Sequence, residues 1–334
     1  MTLAKSQPFE IPAPTPETAA STDSDRRGAA TVWAGLGVLW LVVAAQALVR
    51  WGASPTEFAP APILGPDVPA EWRLVALRAL EVLSVGVLLG FLWFCVVRPW
   101  RQRGRLSLDG KFVLGGLVAF VADGFLNSNA YLFAWNSNNV NRGVWTSFLP
   151  FHGGGATTRY AESLLWGPPM YVYFCAGVAI VACRAVAPLR RRFPDLSNVA
   201  LFSTIWVGEF VFDFVLENLI IRTTHGYAYA QTLGGATLWA GQLYQFPIYE
   251  SILVATLGCL YTWMRMAALQ DPDGLSPVER GFHRWRPALR GPVRTLAVIG
   301  FCSVATILIY HLPFNWLGLI GHSMAALPSY LRPG

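Results

Sequence analysis

Lysine is nearly missing from this 334-residue chain: Lys5 and Lys111 stand beside twenty-three arginines. Neither lies in the final apolar run, which excludes a pigment built on a lysine Schiff base. The arginine bias is that of a GC-rich bacterial genome. Charge of either sign is scarce, at 13% of residues against 54% apolar, and this excludes a soluble globular domain. Metal-ligand spacing is absent too. Cys95, Cys175, Cys183, Cys259 and Cys302 fall inside apolar runs and read as small packing residues. His152 and His225 have no partner at zinc spacing, so no metal is expected. Gly153-Gly154-Gly155 precedes no phosphate-loop helix and reads as a turn.

What the chain does have is apolar runs of membrane-spanning length. Seven are expected, at about 31–49, 72–98, 111–133, 164–187, 199–221, 243–267 and 293–311. A backbone in lipid must satisfy its own hydrogen bonds, so these are helices. The expected fold is an all-α polytopic bundle of about seven transmembrane helices, multi-pass in the cell membrane. Residues 1–30, rich in Pro, Thr, Ser and acid, are expected as a disordered cytoplasmic tail and not a signal peptide. The helical domain covers 31–322, and 323–334 form a short C-terminal tail.

Orientation follows from the basic residues. Eighteen of twenty-five, among them Arg98, Arg101, Arg103, Arg105, Arg190, Arg191, Arg192 and Arg294, fall on one side. By the positive-inside rule that side is cytoplasmic, which places the N-terminus inside and the C-terminus outside. The net charge of +6 comes from this asymmetry and carries no nucleic-acid reading.

Polar chemistry collects at the opposite end. Asp123 lies in the outer half of the third run, followed by Asn127, Asn129, Asn136, Asn138, Asn139 and Asn141. The fifth run carries Glu209, Asp213 and Glu217 at i, i+4 and i+8, a spacing that stacks three carboxyls on one helix face. At about 1.5 Å per residue, Asp213 lies roughly 13 Å below Arg222. An ionised acid there costs about 2.5–3.5 kcal/mol even on the gentler insertion scale, so the three must face a polar cavity, find partners or hold protons. The bland alternative is a hydrogen-bond network that locks the bundle. Phe120-Val121-Ala122-Asp123 also echoes Phe210-Val211-Phe212-Asp213, and Trp166-Gly167-Pro168-Pro169-Met170-Tyr171 echoes Tyr244-Gln245-Phe246-Pro247-Ile248-Tyr249. A degenerate repeat of this kind predicts Asp123 and Asp213 across one shared cavity.

The run Asn127-Ser128-Asn129-x-Tyr131-x-Phe133-x-Trp135-Asn136, then Phe148-x-Pro150-Phe151-His152 and Trp166-Gly167-Pro168-Pro169-Met170-Tyr171, resembles the AveC-like spirocyclases. The resemblance runs from about residue 31 to about 320. It implies an integral membrane enzyme of macrolide biosynthesis that closes a dihydroxy-ketone polyketide to a spiroketal with loss of water, and dehydration of the product ring by some members. No cofactor is needed, because nothing is oxidised.

The chemistry asks for a proton donor to the ketone and then to the departing hydroxyl, a base for each attacking hydroxyl, and support for an oxocarbenium ion. Paired carboxyls meet the first two needs, and aromatic faces the third. The expected catalytic residues are Asp213 and Glu209 as a pair, faced by Asp123 or Glu162, with Glu217 paired to Arg222 as structure. The expected substrate-binding residues are Asn127, Asn129, Trp135, Asn136, His152, Trp166, Gln245, Tyr249 and Glu250. The partners are a lipophilic polyhydroxy-ketone and membrane lipid. Two rivals stand beside this reading: a terpene-type cyclase that starts a carbocation with the same acids, and a non-catalytic transporter or binding protein. A transporter would carry polar residues along both halves of the bundle, whereas here they gather at one end.

Overall fold

A computed structural model describes residues 28–153 and 159–334. The expected N-terminal tail, up to residue 27, and most of the Gly153-Gly154-Gly155 turn lie outside them. Among the described residues six helices are long and apolar enough to cross a membrane: α1 (Ala29–Ala53), α2 (Glu71–Arg103), α4 (Gly167–Arg192), α5 (Asn198–Thr224), α6 (Ile248–Gln270) and α7 (Pro287–Leu319). Their outward faces are apolar, with Val42 and Val49 of α1 and Val75 and Val82 of α2 exposed where lipid would lie.

The third run behaves differently. It forms α3 (Leu108–Ala119), capped by the Ser107 hydroxyl accepting from Gly110 N at 3.1 Å, then tightens into a 3-10 stretch, Phe120–Asn127. The expected span to 133 therefore stops at Asn127. Beyond it the chain turns and enters a strand.

The central helices are α6 and α7, each with about half of its apolar window buried (50% and 56%), while α2 shows 11%. α1 lies tightly on α7 because both are glycines at the crossing: a Cβ on Gly37 would sit 2.2 Å from Leu296 O, and one on Gly300 2.2 Å from Trp33 O. α4 and α5 pack on α6 but barely on each other. They splay, and the gap becomes a cleft.

Three helices widen locally into π turns, at Leu92–Val97, Tyr173–Gly177 and Thr306–His311. Two of these precede a proline. Pro99 and Pro313 lack the N–H that would bond Cys95 and Ile309, and their rings press on those carbonyls. The freed Cys95 carbonyl accepts from the Ser107 hydroxyl at 3.0 Å instead. In α7 the widened turn brings Thr306, Tyr310 and His311 to the same interior region.

At the end away from the arginine-rich loops, short strands form a cap. β1 (Phe133–Trp135) pairs antiparallel with β2 (Tyr227–Tyr229), in the register Phe133↔Tyr229 and Trp135↔Tyr227. β3 (Gln231–Thr232) pairs with β6 (His322–Ser323), and β4 (Thr237–Leu238) with β5 (Phe246–Pro247). The last twelve residues, expected as a tail, are built into this cap. Tyr330 and Leu331 are buried, and the Tyr131 hydroxyl donates to Leu331 O at 2.9 Å.

The asparagines organise the cap. Asn127 accepts from Leu132 N (2.8 Å) and Phe133 N (2.9 Å) and donates to Phe133 O (2.8 Å), which launches β1. Asn136 donates to His225 O and Asn139 to Gly226 O, both at 2.9 Å. They clasp the end of α5, where His225 adopts a left-handed conformation at φ 48° and turns the chain into β2.

Candidate functional site

Side chains two apart on a strand share a face. Tyr227 and Tyr229 therefore both point from β2 towards α5, and both hydroxyls donate to Glu217 Oε2, Tyr229 at 3.0 Å. Glu217 lies one turn from Asp213 on α5. Oxygens of Asp213, Glu217 and Glu250, the last from the start of α6, lie within 4.8 Å of one another, and all three side chains are buried. The Ser251 hydroxyl donates to Asp213 Oδ2 at 2.6 Å and lies 3.3 Å from Glu250 Oε2. Tyr310 donates to Glu250 Oε1 at 3.4 Å.

No basic side chain forms an ion pair with this trio among the described residues. Three carboxyls this close and this dry cannot all be ionised, so the cluster retains protons. A divalent cation could also bridge oxygens at this spacing. The donors Tyr227, Tyr229 and Ser251 are already aimed at them, which favours proton sharing.

The expected pairing is thus revised. Asp213 meets Glu250 and Glu217, not Glu209. Glu209, half-buried a turn further in, accepts from the Thr262 hydroxyl at 3.3 Å. Glu217 does not pair with Arg222, whose guanidinium lies over the rings of Tyr244 (3.9 Å) and Trp239 (4.4 Å).

The one-face prediction for Glu209, Asp213 and Glu217 holds. All three line a cleft of about 720 Å³ walled by α2, α4 and α5, from Trp166 at the cap to Leu189 near the arginine-rich end. Leu83, Val87, Phe91, Phe174 and Phe212 make its other surfaces apolar. The site is a long lateral cleft with carboxyls on one wall, rather than a pocket confined to one end.

Asp123 lies elsewhere. It borders a cavity of about 20 Å³ with Tyr171, Glu217, Thr306 and Tyr310, and does not reach the cleft. The shared cavity predicted by the repeat is therefore not formed; Glu217 alone among the acids borders both spaces. Asp123 Oδ1 accepts from the Tyr171 hydroxyl at 2.6 Å, and Tyr171 is 2.5 Å from His311 Nε2. The Trp135 indole approaches Asp123 Oδ2 at 3.4 Å. Glu162 is wholly buried and faces Asp123. Burial, with Asp123 opposite, holds its carboxyl well above the usual range. Asp123 and Glu162 thus face each other instead of Asp213.

The remaining expected contacts divide. Trp135 and Trp166 stack edge to face at 5.2 Å and cover the acids from the cap side, and Trp166 also lines the cleft. Tyr249 packs on Phe314 at 5.6 Å. Asn127 and Asn136 are committed to the backbone, as described, and Asn129 donates to Asn315 Oδ1 at 3.1 Å. Gln245 accepts from Gly241 N at 2.9 Å and donates to Tyr229 O at 2.7 Å, bracing β2. His152 is exposed and bonded to Leu149 O at 2.9 Å, away from the acids. The sequence reading missed Tyr227, Tyr229, Ser251, Tyr310 and the fully buried His311. Period-2 alternation in Tyr227-Ala228-Tyr229 was the one available signal.

Fold and site together define a polytopic helix bundle of membrane-spanning dimensions with a buried carboxyl centre on an apolar cleft. Residues 102–328 match the family described as Spirocyclase AveC-like, two-thirds of the chain, and the protein belongs to that family. No curated protein and no solved structure matches it.

Proposed function

We propose that the protein is a cofactor-independent spirocyclase of the cell membrane, which closes a lipophilic dihydroxy-ketone polyketide to a spiroketal in the α2–α4–α5 cleft. The observation that carries this reading is the Asp213–Glu217–Glu250 cluster: buried, in no ion pair with a basic side chain among the described residues, and with Asp213 and Glu217 on the wall of an apolar cleft. Asp213 and Glu217 border the cleft and so are the acids that substrate meets.

The steps balance without an external reagent. A carboxyl protonates the ketone while a carboxylate takes the proton of the first hydroxyl, giving a hemiketal. A carboxyl then protonates the hemiketal hydroxyl, which leaves as water, and an oxocarbenium ion remains. The second hydroxyl attacks that carbon and its proton returns to a carboxylate. One water is lost and the protein regains every proton.

Glu217 is suited to the basic role, since two tyrosine hydroxyls donating to one oxygen favour the ionised form. Asp213 shares a proton with Glu250 and is suited to the acidic role. Trp166 and Phe212 on the cleft wall can face the cation. A lateral cleft admits an apolar chain directly from the bilayer. A substrate made on the cytoplasmic side, where the positive-inside rule places the arginine-rich end, can thus reach the acids through lipid.

The test is turnover of a lipophilic dihydroxy-ketone by protein in nanodiscs, followed by mass spectrometry and chiral chromatography. A single spiroketal stereoisomer, one water lighter and absent with a folded Asp213→Asn variant, supports the assignment. A racemic product at the protein-free rate contradicts it and turns attention to a terpene-type cyclisation.

A further inference from the structure

The reaction proposed above leaves a problem that the cleft does not solve. In each of the two ring closures the acid gives up a proton and the base gains one, so the two must be reset before the second closure and again after it. The apolar wall offers no bulk water through which they can reset. The second acid centre lies beside the first and takes no part in those steps.

Four of its features bear on this. Asp123 and Glu162 face each other without a cation, and neither Glu162 oxygen has a hydrogen-bond donor among the described residues. Two carboxyls in that relation hold at least one proton between them. Tyr171 bridges Asp123 Oδ1 (2.6 Å) and His311 Nε2 (2.5 Å). This chain can be written with the hydroxyl donating either way, and His311 Nδ1 has no partner among the described residues to fix the tautomer. Every member is buried: Asp123 is 2% exposed, Tyr171 3%, and Glu162 and His311 0%.

The fourth feature is the cavity of about 20 Å³. It has room for one water, with Asp123 and Tyr171 on one side and Glu217, Thr306 and Tyr310 on the other. Tyr310 in turn donates to Glu250 Oε1. The two acid centres therefore meet at a single polar void.

We propose that Asp123, Glu162, Tyr171 and His311 form a proton store for the cleft acids, joined to Glu217 and, through Tyr310, to Glu250 by one water in this cavity. A proton passes from the Asp123–Glu162 pair to that water while the water gives one of its own to Glu217 or towards Glu250. The reverse transfer restores the pair, and nothing is oxidised or consumed. These four are positioning and relay residues, since none reaches the cleft. The purpose of the store rests on the proposed reaction, but its existence can be tested without substrate.

The experiment is time-resolved infrared spectroscopy of the full protein in nanodiscs after a pH step, following the carboxyl band that Asp213→Asn removes. The store predicts that Asp123→Asn and Tyr171→Phe each slow proton exchange of that band by about tenfold or more, with its final amplitude unchanged. Glu71→Gln, at the exposed start of α2 and away from both acid centres, leaves the rate as in the wild type. If Asp123→Asn fails to fold, Glu162→Gln and Tyr171→Phe decide. Unchanged rates in the relay variants, or a wild-type band that never exchanges, overturn the proposal. Slow exchange in the variants together with no turnover of a dihydroxy-ketone keeps the store and removes the spiroketal reading. Turnover with unchanged rates does the opposite.

Discussion

Glu162 and Glu279 are both 0% exposed, yet the two ends of the bundle treat them in opposite ways. At the arginine-rich end Glu279 closes a capping box with Ser276, contacts the Lys111 ammonium, and accepts from Arg294 at 2.8 Å. Burial alone would raise its pKa, but the two cations outweigh it and hold the carboxyl below the usual range. Asp109 and Arg265 form a second, forked pair nearby at 2.8 and 3.0 Å. At the cap end Glu162 is buried against another carboxyl, with no cation paired to it among the described residues, and its pKa goes well up. Buried acids with matched bases are a structural device. Buried acids met by hydroxyls, an imidazole and one another have protons to move.

The sharpest break between the two ends is activity. Asp213→Asn should lower turnover about 10²- to 10⁴-fold, the range for loss of a general acid, as read by product formation in nanodiscs. Lys111→Met should leave the rate of the folded fraction unchanged. That same Lys111→Met should destabilise the protein by roughly 3–5 kcal/mol, because it leaves a buried charge short of a partner. Thermal unfolding in detergent measures it.

The sign of the pH dependence also separates the ends. Burial and the facing Asp123 hold the Glu162 pKa above its unfolded value, so the fold binds that proton more tightly than the unfolded chain does. Its contribution to stability is therefore greatest below the unfolded pKa and falls by about 1.4 kcal/mol per pH unit above it. Glu162→Gln should remove that slope and stabilise the protein at pH 8 relative to the wild type. Glu279 has a depressed pKa, so its stabilisation is present above the unfolded pKa and is lost as pH falls through the folded one. Glu279→Gln should cost more stability at pH 8 than at pH 4. Melting temperatures across pH would show the two slopes.

Smaller effects sharpen the cap end. Asn136→Ala loses its bond to His225 O and should cost about 1–3 kcal/mol in melting experiments, with only a modest change in turnover. Arg222→Gln loses contacts to Tyr244 and Trp239 worth about 0.5–1 kcal/mol. It should barely alter activity. A large loss of activity there would restore the ion pair with Glu217 that the geometry denies.

Much of this was legible in the amino-acid pattern. Long apolar runs marked six helices, and carboxyls four residues apart marked the cleft face of α5. What stayed hidden depended on contacts distant in sequence. Glu250 joins Asp213 only because α5 and α6 pack side by side, and Glu217 finds Tyr227 and Tyr229 only because β2 folds back under β1. The asparagines misled for a plain reason: an amide that binds a substrate hydroxyl and one that ties a backbone turn look identical in sequence. The third run misled because hydropathy does not register the change from α to 3-10 geometry after Ala119, nor how Asn127 turns the chain into β1.

One measurement tests the contrast most directly: infrared absorption of protonated carboxyls at neutral pH in the full protein and in two variants, Glu162→Gln and Glu279→Gln. The account predicts that Glu162→Gln removes part of the band while Glu279→Gln leaves it intact. A band untouched by Glu162→Gln would mean that the cap-end acid is ionised, and the cap end would then hold no protons to move.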